Sequence, residues 1–276
     1  MNSSFEQKKT IGIIGGLGPY AHIEFERRLL DAAVKITDAK NDQNFPRWIL
    51  SSIPQTPDRT LAICDGGDSP VPAIVQSIKN LEICYDESGN KIKGADFAVM
   101  ICNTSHFFLG EIEKQVNIPL LNMIDLTTER IASILPGANV GIFATTGTLK
   151  SKIYHDSLSK KGLLPKSPLD LTSGDIIQRK MVMESIYGKW NGSKFCGDGI
   201  KSGNLEPEHA ENFNSTADAM INAFGIDLFI AGCTEIPIAI PGSSIREKVI
   251  IDPMVVTAEA VINIAYELDG GYDDLK

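Results

Sequence analysis

One feature limits the fold more than any other. Short apolar runs of strand length alternate along the whole chain with longer stretches whose apolar residues recur at helical spacing. Residues 10–14, 47–53, 96–101, 119–123, 138–144 and 227–231 read as strands, and 250–251 continues that pattern. Residues 20–36, 71–84, 111–116, 126–133, 150–160, 178–187, 209–224 and 254–268 read as helices. Strands separated by helices of this length build parallel βαβ units, with helices on both faces of a sheet. The fold class is therefore α/β.

The alternation also repeats on a larger scale. Thr10-Ile11-Gly12-Ile13-Ile14-Gly15 and Asn139-Val140-Gly141-Ile142-Phe143-Ala144 are both strands with a central glycine, and both run into Gly- and Thr-rich turns. Asp96-Phe97-Ala98-Val99-Met100-Ile101-Cys102 resembles Asp227-Leu228-Phe229-Ile230-Ala231-Gly232-Cys233. Gly12 to Cys102 spans 90 positions and Gly141 to Cys233 spans 92. At about 150 residues per domain, 276 residues suit two domains. The expectation is two similar parallel-sheet αβα domains related by a pseudo-twofold axis, with the site in the cleft between them. Residues 1–117 plus 247–276 form the first and carry Cys102; residues 118–246 form the second and carry Cys233.

Composition removes several functions. A formal charge of −9 argues against a nucleic-acid surface, which needs clustered Lys and Arg. It leaves room for two cations around a small anion. No apolar run reaches the roughly 18 residues of a membrane span, and residues 1–10 are polar, unlike a signal peptide. The five cysteines are scattered and form no C-x-x-C pair, which speaks for a reducing, cytoplasmic compartment and against a zinc ribbon. No metal site is expected, and His22, His155 and His209 read as ordinary helix residues.

Cys102 and Cys233 differ from the other three because each ends a strand and is followed by polar residues. Carboxyl ends of parallel strands are where open α/β sheets bind ligands. A stereocentre is inverted most simply by one acid–base group on each face, and a thiol titrates near enough to neutrality for either role. Asn103, Thr104 and Thr234 are placed to donate to a carboxylate or to a developing enolate. Cys64 and Cys84 read as small buried hydrophobes, and Cys196 as a loop spectator.

At this point the motifs resemble a family. Cys102-Asn103-Thr104-Ser105-His106 and Gly232-Cys233-Thr234-Glu235 are similar to the two cysteine motifs of the aspartate/glutamate racemase superfamily. Ile13-Ile14-Gly15-Gly16-Leu17-Gly18-Pro19, Pro54-Gln55-Thr56-Pro57-Asp58-Arg59-Thr60, Ala144-Thr145-Thr146-Gly147-Thr148 and Ile251-Asp252-Pro253-Met254 also match, in the family's order. The glutamate branch usually carries a His where this chain has Glu235, which favours the aspartate branch. The resemblance implies racemisation of an acidic amino acid, foremost aspartate, without pyridoxal phosphate, ATP or metal. Cys102 would serve one face of Cα and Cys233 the other. Arg59, Thr145 and Gly18 would join the substrate-binding groups, with Lys201 assigned through Lys201-Ser202-Gly203-Asn204. Lys189 and Lys194 compete with Lys201, because segment 188–200 runs longer than in the shorter members. Asp58, Glu235 and His106 would support the site from behind. The family also implies a homodimer with a small amino acid as its partner.

Other readings stand beside it. Gly16-Leu17-Gly18-Pro19-Tyr20-Ala21 formally satisfies the dinucleotide fingerprint, but Pro19 removes an amide that a pyrophosphate needs. The turn is better suited to close backbone approach by a small carboxylate. A broad-specificity or glutamate racemase, a maleate isomerase or decarboxylase type enzyme, and a non-catalytic amino-acid-binding protein are the alternatives.

Overall fold

A computed structural model describes residues 6–268 of the chain. In chain order the elements open with β1 (Ile11–Gly15), α1 (Pro19–Thr37), β2 (Trp48–Ser52), α2 (Arg59–Cys64), α3 (Val71–Leu81), β3 (Ile83–Tyr85), β4 (Lys91–Lys93) and β5 (Phe97–Met100). They continue with α4 (Leu109–Ile112), β6 (Leu120–Leu121), α5 (Met123–Ile134), β7 (Asn139–Phe143), α6 (Thr146–Lys150), α7 (Ile153–Lys160) and β8 (Leu164–Lys166). The chain then forms α8 (Gly174–Ile177), a π-helical segment (Gln178–Met183), α9 (Glu184–Tyr187), α10 (Pro207–Phe224), β9 (Leu228–Ala231), α11 (Ile236–Ala239), β10 (Ser244–Ile245), β11 (Lys248–Ile251) and α12 (Pro253–Tyr266).

These elements divide into two compact units. Among the described residues, unit 1 holds residues 6–57, 69–123 and 254–268; unit 2 holds residues 58–68 and 124–253. The expected boundary at 117/118 thus falls at 123/124, and the one expected at 246/247 falls at 253/254. The larger difference is residues 58–68, which leave the first unit altogether. Helix α2 packs on α6 of unit 2, where a Cβ on Gly147 would sit 2.9 Å from the Thr60 Cα. The absence of a side chain at Gly147 is what lets the two helices meet.

Unit 1 has a four-stranded sheet in the order β2-β1-β5-β6, with every neighbour pair parallel. Unit 2 has the order β8-β7-β9-β11, also parallel, with β10 added antiparallel at the β11 edge. Each parallel sheet therefore reads second–first–third–fourth along its own stretch of chain. Central strands buried on both faces explain the continuous apolar runs. In unit 2, side chains alternate across the sheet. Phe143, Phe229 and Ala231 pack on one face with Phe213 and Met220. Val140, Ile142, Leu228 and Ile230 pack on the other with Tyr154 and Leu158. The central glycine of the repeat has a steric reason here: a Cβ on Gly141 would lie 2.4 Å from the Phe229 ring.

Several element expectations change. The helix expected over 71–84 stops at Leu81, and Ile83–Tyr85 pairs with Lys91–Lys93 as a two-stranded ribbon. Its turn is held by Asp86 Oδ1, which accepts from the Ser88 and Asn90 amides. The helix expected over 150–160 is two helices, broken at Lys152, whose φ is +58°. The helix of 178–187 starts earlier, at Gly174, and carries the π-helical turns of Gln178–Met183. Among the described residues no helix is long and apolar enough to cross a membrane.

Candidate active site

In unit 1, Cys102 lies two residues beyond the end of β5 and is 7% exposed. The chain then turns directly into a 3-10 helix, Thr104–Phe108, with Asn103 as its N-cap. His106 fastens this turn. Its Nε2 accepts from the Met123 amide at 3.2 Å, so the proton sits on Nδ1, which donates to the Cys102 carbonyl at 2.9 Å. The ring is a structural brace behind the thiol and is itself buried, as are Asn103 and Thr104. Gly18, at the N-cap of α1, is followed by Pro19 at the first helical position. Its carbonyl accepts from the Ala21 and His22 amides.

In unit 2, Cys233 occupies the matching place, two residues beyond β9, and is 5% exposed. Its neighbourhood is charged. The Cys233 thiol donates to Glu235 Oε2 at 3.0 Å, and the Thr234 hydroxyl donates to the same oxygen at 3.1 Å. Glu235 Oε1 meets the Lys201 ammonium at 2.6 Å. The carboxylate is 1% exposed, so both oxygens take their donors within the protein. Burial disfavours its charge, but Lys201 and then the thiol, acting together, hold Glu235 below the ordinary carboxylate range. Burial, and next the Glu235 charge, push the Cys233 thiol well above its ordinary value, with Lys201 pulling the other way. The resting state is therefore a protonated thiol on an ionised carboxylate.

Lys201 also lies 5.5 Å from the centre of the Tyr187 ring. The sequence expectation set Lys201 aside for a substrate carboxylate; the fold gives it an internal carboxylate as well. Lys189 and Lys194 are exposed, whereas Lys201 is the lysine seen on Glu235. Asp58, expected to steer Arg59, accepts from the Leu61 amide at 2.8 Å and caps α2. Arg59 is buried at the start of that helix and belongs to unit 2. Thr145 caps α6 and joins the hydroxyls of Thr60, at 3.3 Å, and Thr148, at 3.1 Å.

The structure brings Cys233, Thr234, Glu235 and Lys201 together in unit 2 and sets Cys102, Asn103, Thr104 and His106 together in unit 1. Sequence reasoning missed Tyr187, whose hydroxyl is bonded to Thr60 and whose burial raises its pKa. A tyrosine ending a helix carries no spacing signal that would have singled it out. Cys64 and Cys84 are half-buried, not core residues: α2 and the β3–β4 ribbon each leave one side open. Cys196 is exposed and donates to Asp198 at 2.8 Å. Among the described residues no group of three or more His, Cys, Asp or Glu is placed to hold a metal ion.

Two α/β units, each with one buried thiol at the carboxyl end of a parallel sheet, define the class of protein. The chain belongs to the Asp/Glu/hydantoin racemase family, whose description matches residues 14–261. It is similar to the Picrophilus torridus aspartate racemase, at 29% identity over 94% of each chain with a TM-score of 0.70. An aspartate racemase homologue from Pyrococcus horikoshii shares the fold, at 22% identity over 94% of this chain and 99% of that one, with a TM-score of 0.65. The broad specificity amino-acid racemase RacX of Bacillus subtilis is 29% identical over 55% of this chain. That match spans 61% of RacX, less than two thirds of its length.

Proposed function

We propose that this protein is an isomerase that racemises an acidic amino acid, foremost aspartate, by two-base proton transfer. Cys102 serves one face of Cα and Cys233 the other, exchanging acid and base roles with direction. The observation that carries the reading is the thiol–carboxylate–ammonium chain Cys233–Glu235–Lys201 at one strand end, matched by a second buried thiol at the equivalent strand end of unit 1. A thiol held protonated against a carboxylate is a loaded acid. When Cys233 must act as base, Glu235 is the local group that can take its proton, and Lys201 keeps Glu235 ionised until then.

The α-proton of an amino acid is far less acidic than a thiol. The site must therefore stabilise the carbanion by many kcal/mol through fixed donors and exclusion of water. Asn103, Thr104, Thr145 and Arg59 are the groups assigned to bind the substrate carboxylates, with the Gly18 turn supplying backbone. Arg59 is suited to bidentate recognition in a way that lysine is not. Lys201 is assigned to the substrate carboxylate together with its hold on Glu235. The proposal extends to a cytoplasmic homodimer; the free state of all five cysteines supports the reducing compartment.

The test is a chiral assay of the common L-amino acids with the reduced protein in deuterium oxide. Aspartate should yield the D-enantiomer with deuterium at Cα; tight aspartate binding without exchange would sink the proposal in favour of a binding protein. A broad-specificity racemase is the second reading. It is favoured by the ion pair between Lys201 and Glu235, which engages part of the side-chain carboxylate clamp, and by the relative RacX. Racemisation of neutral amino acids at rates matching aspartate would select it.

A further inference from the structure

Unit 2 contains a cavity of about 700 Å³ that includes neither Cys233 nor Glu235 nor Lys201. Volumes of roughly 300–1,000 Å³ are typical of small-molecule sites. Its walls come from α2, α6, the π-helical segment and the ribbon that follows α9. That ribbon is segment 188–197, closed by the bridge between Trp190 and Phe195. Asn191 Oδ1 gathers the Ser193 and Lys194 amides and sets the turn. The result is a built aromatic wall: Tyr187 stacks on Phe195 at 5.6 Å, and Trp190 meets Phe195 edge-on at 5.0 Å.

The remaining lining is charged in both senses. Lys150 and Arg179 stand with Lys194, and Asp58, Asp65 and Asp175 stand opposite in sign. Gln178, from the π-helical segment, is 1% exposed and donates its amide to the Ala144 carbonyl at 2.9 Å. That bond fixes the amide's orientation and leaves Oε1 fully enclosed, with no partner among the described residues. π-helical turns are rare and recur at functional sites; here one supplies Gln178, Arg179 and Met183 to a single cavity.

Flat rings, cations and carboxylates together fit one chemical class. We propose that this cavity is a second ligand site that takes an aromatic amino acid as the zwitterion. The ring lies against Trp190 and Phe195, the carboxylate meets Arg179 and Lys150, and the ammonium faces Asp58, Asp65 and Asp175. Tyr187 is shared between this wall and Lys201. Occupancy is thereby felt at Glu235 and Cys233, a consequence that rests on the racemase reading.

The cavity is tested with L- and D-phenylalanine, which are transparent where tryptophan is excited. The chain has two tryptophans, so full-length W48F leaves Trp190 as the reporter. A saturable fluorescence change is expected, undiminished by excess aspartate and at least tenfold weaker in R179E/K150E, at two exposed positions. Phenethylamine and 3-phenylpropionate, each with one charge missing, should bind more weakly than phenylalanine. No change at millimolar phenylalanine, displacement by aspartate, or unaltered binding in the double variant would overturn the site. With phenylalanine bound, the rate of Cα deuterium exchange on aspartate should shift by about fivefold, the low end of ordinary coupling. Saturable binding with an unchanged rate overturns the coupling through Tyr187. The fluorescence arm decides the site even if aspartate proves not to be a substrate.

Discussion

Cys102 and Cys233 stand at equivalent ends of two sheets with the same strand order, two residues past the third strand in each. Their surroundings are unlike. The turn after Cys102 is braced by a neutral ring that bonds the Cys102 carbonyl and the Met123 amide. The turn after Cys233 is built around an ion pair that reaches the sulfur itself. Duplicated topology fixes where a thiol sits; the residues that follow decide how its proton is held. One thiol is supported through its backbone, the other by a charged carboxylate at its sulfur.

The sharpest way to break this comparison is to remove each sulfur in turn. In the proposed two-base scheme C102S and C233S each lose about 10³-fold in racemisation, within the usual range for positioned acid–base groups. Chiral chromatography reads the rate, and full activity in either variant ends the equivalence of the two thiols.

Next comes the carboxylate. E235Q keeps the shape but loses the charge that receives the Cys233 proton. Racemisation should fall by about 10²-fold in kcat/KM, equally in both directions because the two enantiomers are equal in energy. Wild-type kcat/KM in folded E235Q would show that Glu235 takes no part in the proton transfer. Lys201 gives the matching stability experiment. K201M leaves a buried carboxylate uncompensated, and about 3–5 kcal/mol of stability should be lost in denaturant unfolding. An unchanged midpoint would mean that Glu235 is protonated or hydrated in the folded state.

The same pair sets an acid limb. Glu235 is held below its unfolded value, so the folded state binds the fewer protons there. Its contribution is present above the ordinary carboxylate range and is lost as pH falls through the lowered value. E235Q should flatten that acid limb, measured as unfolding midpoint against pH. On the other side of the comparison the effects are smaller. H106F removes one partner each from the Cys102 carbonyl and the Met123 amide and should lower stability by about 2 kcal/mol. It should do so with no change in the acid limb; a pH-dependent loss would give His106 a charge role that its two bonds deny. G147A has the smallest expected effect, about 1 kcal/mol, and thermal unfolding should register it as the α2–α6 packing loosens.

Much of this was legible in the chain. The apolar runs that became the central strands β1, β5, β7 and β9 are buried on both faces, and Gly141 marks a strand crossed closely by the Phe229 ring. The two cysteines were legible because each interrupts an apolar run where a parallel strand must end. The ownership of Arg59 was not legible. Residues 58–68 lie between two stretches of unit 1, and it is the packing of α2 on α6, with Thr60 against Gly147 and bonded to Thr145, that assigns them to unit 2. The role of Lys201 was half legible. A Lys-x-Gly-Asn run names the residue, yet 34 positions separate it from the Glu235 that it holds. The ribbon of 188–197 was read as loop because its pairing depends on one aromatic bridge, not on alternation.

The sequence by itself determined the α/β class, the duplicated order of elements and the two thiols, because periodicity and strand-end position are local properties. Tertiary structure alone decided which unit carries Arg59, that Glu235 lies between Lys201 and Cys233, and that a mixed-charge aromatic cavity stands beside them. Those are matters of packing across long separations, where the energy of a charge depends on what burial leaves around it.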